Sequence, residues 1–182
     1  YVSKIPFNNE LKHKFSYLHQ NIYFSRVKIS NDQKKILIKI SDITNISSFE
    51  LEQAYKNQLH LFARWFVSAK RLLSGHEKLK EIYVSSWYFP DMMGICAAAS
   101  RLGIKTIDVQ HGKQGKYQAM FSGWTKIPDE GYALMPDSFW CWGQPSCDHI
   151  LASSPNRSTH IPFIGGYPWI DYYKKNITPV NS

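Results

Sequence analysis

No apolar run in this sequence reaches the roughly 18 residues that a membrane-spanning helix requires, and no stretch reads as a signal peptide. Cysteine is scarce: Cys96, Cys141 and Cys147 form an odd set at spacings that match no zinc pattern. They read as reduced core thiols, which favours a cytosolic protein over a disulfide-stapled one. Both glycine signatures of phosphate cradles, G-x-x-x-x-G-K-[ST] and G-x-G-x-x-G, are missing, so neither an ATP P-loop nor a dinucleotide fingerprint is present. No D-x-D pair offers a carboxylate clamp for a metal-bound nucleotide, and no bound metal or other cofactor is expected. Runs of five or six like charges, internal repeats and low-complexity tracts are also lacking.

What is there is a chain of 182 residues, 43% hydrophobic, long enough to bury one core. Its formal charge of +8 fits a partner that carries phosphate, whether a nucleotide-linked small molecule, an anionic membrane surface or a nucleic acid. The basic residues are scattered and no nucleic-acid motif accompanies them, which argues against a nucleic-acid partner. Peripheral contact with an anionic membrane surface, at its cytoplasmic face, stays compatible with the charge. The chain starts at Tyr1 rather than methionine, so a fragment of a longer protein is expected.

Alternating apolar character organises most of the sequence. Residues 1–45 are the least regular; "NIYFSRVKI" and "KKILIKI", separated by "SNDQ", read as a hairpin or a pair of edge strands. From Ser47, apolar residues recur at spacings of three and four, from Leu51 and Ala54 through Trp65 and Phe66 to Leu73. That pattern predicts a helix of about seven turns closed by Gly75. Then "KEIYVSS", "IKTIDVQ", "DSFWCWG" and "THIPFIGG" read as strands, with helices over "PDMMGICAAASRLG" and "PSCDHILASS" between them. Such alternation predicts an α/β domain, a Rossmann-like parallel sheet flanked by helices, over residues 1–171. Pro162 suits an edge strand. Residues 172–182 lose periodicity and read as a linker.

In an open parallel sheet, ligands bind beyond the carboxyl ends of the strands, where loops converge. The four predicted ends, "SSWYFPD", "QHGKQGK", "WGQPS" and "GGYPWID", all carry polar, glycine or aromatic residues. His111 directly follows a strand, and a neutral imidazole there can accept a proton near pH 7. Beside it Gln110 is a candidate contact, and Gly112 allows close approach of backbone to ligand. Lys113 and Lys116 can meet phosphate; Trp87, Tyr117 and Trp124 offer flat faces for sugar rings or bases. Gly143 and Gly166 stand at the last two strand ends. Asp108 reads as a buried structural carboxylate, Asp91 as a cap at a helix start, and Phe139 and Trp140 as core.

Read together, "GICAAASRLGIKTIDVQHGKQGKY", "PDSFWCWGQPS" and "HIPFIGGYPWIDYY" resemble the bacterial GT-B-type glycosyltransferases of capsule and lipopolysaccharide assembly. More loosely, they resemble the glycerophosphotransferases of teichoic acid synthesis. The resemblance covers roughly residues 80 to 173 and implies one half of a GT-B architecture, the acceptor-side domain. It implies a nucleotide sugar and a glycan acceptor as substrates, and His111 as general base on the acceptor hydroxyl. Gly112 would match the glycine beside that histidine, Gly143 and Gly166 would face an interdomain cleft, and Asp171 would sit near the hinge. The donor-binding C-terminal domain of such enzymes is not in this sequence, so catalysis by the chain alone is not expected. A non-catalytic α/β domain that binds a nucleotide or a carbohydrate is the alternative.

Overall fold

The computed structural model describes residues 28–124, 127–152 and 155–176. They form two compact units, one comprising the described residues up to Lys78 together with Phe89–Leu102, the other Leu79–Tyr88 and the described residues from Gly103 onward.

The first unit is helical, with α1 (Asn31–Ile43), α2 (Ser48–Leu73) and α3 (Pro90–Arg101). The predicted strand "KKILIKI" is instead the body of α1, a correction to the expected hairpin. Its start is fixed by a capping box, in which the Gln33 N–H donates to Ser30 Oγ at 3.2 Å and the Ser30 N–H donates to Gln33 Oε1 at 2.9 Å. The half-buried stripe of α1 runs through Gln33, Leu37, Ser41 and Thr44, at helical spacing but mostly polar, while Ile36, Ile38, Ile40 and Ile43 point outward. The isoleucines still recur at helical spacing, at 36, 40 and 43, but as a β-branched run they read as a strand. The other expected strand, "NIYFSRVKI", lies mainly outside the described residues.

A second capping box starts α2: Glu50 N–H donates to Ser47 Oγ at 3.2 Å, and Glu50 Oε2 accepts from the Ser47 N–H at 3.1 Å. Ser47→Ala should lower stability by about 1 kcal/mol, the usual worth of an N-cap, with faster amide exchange concentrated in the first turn of α2. Helix α3 opens on Pro90 with Phe89 as its N-cap residue, so Asp91 lies within the first turn rather than at the cap; its Oδ1 accepts the Met92 N–H at 2.9 Å, and its charge suits the helix start. Its small residues let it lie directly on α2. A Cβ on Gly94 would come within 2.8 Å of the Phe62 carbonyl oxygen and the Phe66 nitrogen, so no larger residue fits without separating the helices.

The second unit carries the sheet. Strands β1 (Glu81–Val84), β2 (Lys105–Val109), β3 (Ser138–Cys141) and β4 (Ile161–Ile164) are all parallel and ordered β1-β2-β3-β4. The fold is thus the expected Rossmann-like α/β class, with "TIDVQ" on an interior strand and Pro162 on an edge. One sheet face buries Val84, Thr106, Asp108, Phe139 and Cys141. Helix α4 (Gln144–Leu151), opened by Gly143 and Pro145, packs against β3 and β4. A last helix, α5 (Pro168–Asn176), follows β4, so Tyr172–Asn176 are helical where a linker was predicted. The tail reads as aperiodic because aromatic and charged residues adjoin, yet Pro168 at the helix start presets the φ of a first turn.

Candidate functional site

Parallel pairing brings all four carboxyl ends to one edge of the sheet, since Val84 pairs with Asp108, Val109 with Trp140, and Cys141 with Ile164. The sequence-predicted positions Trp87, Gln110, His111, Gly112, Gly143 and Gly166 therefore lie at one end, as doubly wound sheets require of a ligand site. They divide sharply into residues open to solvent and residues committed to internal structure.

His111 is exposed, immediately beyond β2. Its Nε2 lies 3.1 Å from the hydroxyl of Ser86, at the end of β1. Ser86 adopts φ 58°, the left-handed region that favours glycine. The next residue, Trp87, donates its backbone N–H to Asp108 Oδ1 at 3.2 Å. Asp108 itself is 1% exposed, and its other oxygen has no hydrogen-bond partner. Burial pushes its carboxyl from the ordinary 3.8 up to about 7, against the lowering effect of the Trp87 N–H.

That shift has a definite sign. A carboxyl whose folded pKa is raised contributes stability that is fully present at low pH and is lost as pH rises through about 7. Between pH 6 and pH 8 this removes on the order of 1 kcal/mol, and Asp108→Asn, which keeps an acceptor for Trp87, should abolish that part of the pH dependence. Denaturant midpoints of both proteins at the two pH values give the difference. Equal slopes for the two would show that Asp108 is ionised throughout.

Gln110 is only 4% exposed and serves the fold. Its side-chain amide donates to the Gly112 carbonyl at 2.9 Å, and its Oε1 accepts the Trp142 N–H at 2.7 Å, locking the β2 end to the β3 end. Each bond uses one of the two donors or lone pairs at its end of the amide, and little of the side chain reaches solvent. Gly143 is an extended N-cap residue for α4 and has room for a side chain. Gly166, at φ 79°, turns the chain after β4, and its carbonyl accepts the Trp140 indole N–H at 2.9 Å. Beyond these ends Trp142 and Tyr167, both half-buried, stack with ring centroids 4.2 Å apart.

The long loop between β2 and β3 separates its residues the same way. Lys113, Lys116 and Tyr117 are exposed, with the Lys116 ammonium 4.9 Å from the Tyr117 ring centroid. Trp124 turns inward, tilted on Phe139 with centroids 5.8 Å apart, its indole N–H donated to the Ala119 carbonyl and the Arg157 guanidinium 5.2 Å from its ring. Trp87 meets it edge to face, 6.3 Å away, and is 6% exposed. Of these two predicted ligand platforms Trp87 is buried and Trp124 half-buried, and both pack among aromatic residues that include Phe121 and Phe139. The core placement expected for Phe139 holds, at 1% exposure.

Sequence reasoning missed Ser86, whose only signal was its place at a strand end. It also missed two loop anchors. Asp137 Oδ2 accepts the Thr106 N–H at 2.7 Å and the Thr106 hydroxyl at 2.8 Å. His160, 3% exposed, accepts the Tyr132 N–H on Nε2 at 2.8 Å and donates from Nδ1 to the Pro136 carbonyl at 2.6 Å, which fixes it as neutral. Burial lowers its pKa accordingly. The three cysteines are buried and form no disulfide, and burial pushes the Cys141 thiol upward, beside Cys147. Among the described residues no His, Cys, Asp and Glu cluster suits a metal, and no helix is long and apolar enough to cross a membrane. Comparison with protein-family models, curated proteins and solved structures finds no significant match.

Proposed function

We propose that the chain is the acceptor-side domain of a GT-B-like glycosyltransferase, moving a sugar from a nucleotide-sugar donor to a growing surface glycan. In this reading His111 is the general base. It removes the proton of the acceptor hydroxyl as that oxygen bonds to the anomeric carbon, while the bond from that carbon to the nucleoside diphosphate breaks. Lys113 and Lys116 stand on the same loop as His111 and can offset charge on the departing phosphate. A second domain would hold most of the donor. The reading places the work in the cytoplasm, with the basic surface able to rest on an anionic membrane.

The observation that carries the reading is the exposed imidazole at the carboxyl end of an interior parallel strand, with one ring nitrogen already engaged by Ser86. An exposed base on a rigid strand end is what hydroxyl activation asks for, whereas simple binding of a nucleotide or carbohydrate does not need it. The test is transfer from a panel of nucleotide sugars by the longest natural polypeptide and its His111→Ala variant. Loss of turnover with donor binding retained supports the reading, and unaltered transfer removes the base assignment.

A further inference from the structure

The hydroxyl that faces His111 comes from an unusual place. Ser86 is held in a left-handed conformation, which costs a serine energy that a glycine would avoid. The turn carrying it is clamped from the following residue, whose N–H is taken by the buried carboxyl of Asp108. Asp108 belongs to β2, as His111 does in effect, being two residues past its end. The contacts therefore close a ring: β2 through Asp108 fixes the β1 turn, and that turn through Ser86 reaches back to the histidine at the end of β2. A surface serine with no role in orienting the ring would have no need of this geometry.

We propose that Ser86 is a positioning residue: its hydroxyl oxygen accepts the Nε2–H of His111 and so leaves Nδ1 as the proton-accepting atom of the ring. This rests on the reading of His111 as a base for its purpose, though not for its structure. Nε2 is closed off by Ser86 at 3.1 Å, while Nδ1 has no hydrogen-bond partner among the described residues. A base needs a lone pair facing its substrate, and Nδ1 is the nitrogen with an open approach. Neutral histidine then carries its proton on Nε2, where Ser86 can only accept. When Nδ1 takes up the substrate's proton, the Nε2–H to Ser86 bond persists, so no rearrangement accompanies the transfer. Ser86 acting as a nucleophile is disfavoured, because the N–H of the residue after it, the usual oxyanion donor, is already bound by Asp108.

The test uses nitrogen NMR of the His111 ring in the full-length protein, assigned by its loss in His111→Ala, with Ser86→Gly and Ser86→Ala as variants. Glycine relieves the left-handed residue, so Ser86→Gly should fold at least as well as the parent. Expected in the parent is a ring with protonated Nε2 and bare Nδ1, and in both variants a mixture of tautomers. A parent ring protonated on Nδ1, or ring signals unchanged in both variants, overturns the proposal. In a sugar-transfer assay Ser86→Gly should lower kcat about tenfold with KM unchanged. A fixed tautomer alongside fully active His111→Ala would instead refute the base reading while leaving the Ser86 assignment intact.

Discussion

Gly165→Ala is expected to cost about 3 kcal/mol of stability and to disorder the end of the sheet on which the candidate site is built. A Cβ at this position would lie 2.1 Å from Trp140 Cε2 and 2.3 Å from Cδ2 and Nε1, well inside any tolerable contact. The indole of Trp140 sits flat against the glycine. It is held there by the hydrogen bond to the Gly166 carbonyl at 2.9 Å and by edge contacts with Tyr83 and Phe163 at 6.3 and 5.7 Å. An added methyl group evicts the ring and forfeits all of these together. The diagnostic is a double-mutant cycle: because the cost of the alanine is the displacement of Trp140, Gly165→Ala should be nearly silent in a Trp140→Ala background. Denaturant midpoints of the four proteins measure it, and full additivity would place the cost in the backbone.

That glycine also marks where sequence reading reaches its limit. "GGYPW" reads as a strand end whose second glycine, Gly166, would face a cleft. In the structure the first is required by a tryptophan 25 positions earlier, and the second by a left-handed turn whose carbonyl serves the same indole. No local pattern carries that information, because the partner lies on the neighbouring strand. The four strands were legible as short apolar runs, helix α2 through apolar residues recurring at three and four, and α3 and α4 through Pro90 and Pro145 at their starts. Helix α1 was misread because its β-branched isoleucines favour a strand, although Ile36, Ile40 and Ile43 recur at helical spacing and the capping box of Ser30 and Gln33 was in plain view.

The candidate site was legible to a similar depth. Its proposed location followed from the α/β alternation alone, and His111, Lys113, Lys116 and Tyr117, singled out in the sequence, are exposed. Residue type could not separate aromatics that face solvent from those that pack inward, and it did not show that Trp87 is buried and Trp124 half-buried, in edge contact with each other. Nor could it show that Gln110 has both ends of its amide occupied. Ser86 was invisible for a different reason: its importance lies in a backbone angle and in a contact across 25 positions, neither of which serine as a residue type announces.

His111→Ala is expected to reduce sugar transfer by about 10²- to 10⁴-fold, equivalent to roughly 3 to 5 kcal/mol of barrier, with little change in donor affinity. The size follows from the role, since a general base acts on the proton in flight and contributes almost nothing to the ground-state complex. Stability should hardly respond. His111 is exposed, and its one hydrogen bond within the described residues goes to a serine hydroxyl, so the variant should unfold within about 0.5 kcal/mol of the parent. His160→Ala supplies the contrast, for it strips the Tyr132 N–H of its acceptor and the Pro136 carbonyl of its donor in a buried setting, and should lose stability before it loses chemistry. Added imidazole should restore part of the turnover of His111→Ala, because the missing ring leaves a gap open to solvent with the Ser86 hydroxyl still in place to receive a guest N–H. If turnover and stability fell together in His111→Ala and imidazole restored neither, the histidine would be a scaffold residue and the candidate site would lose its base.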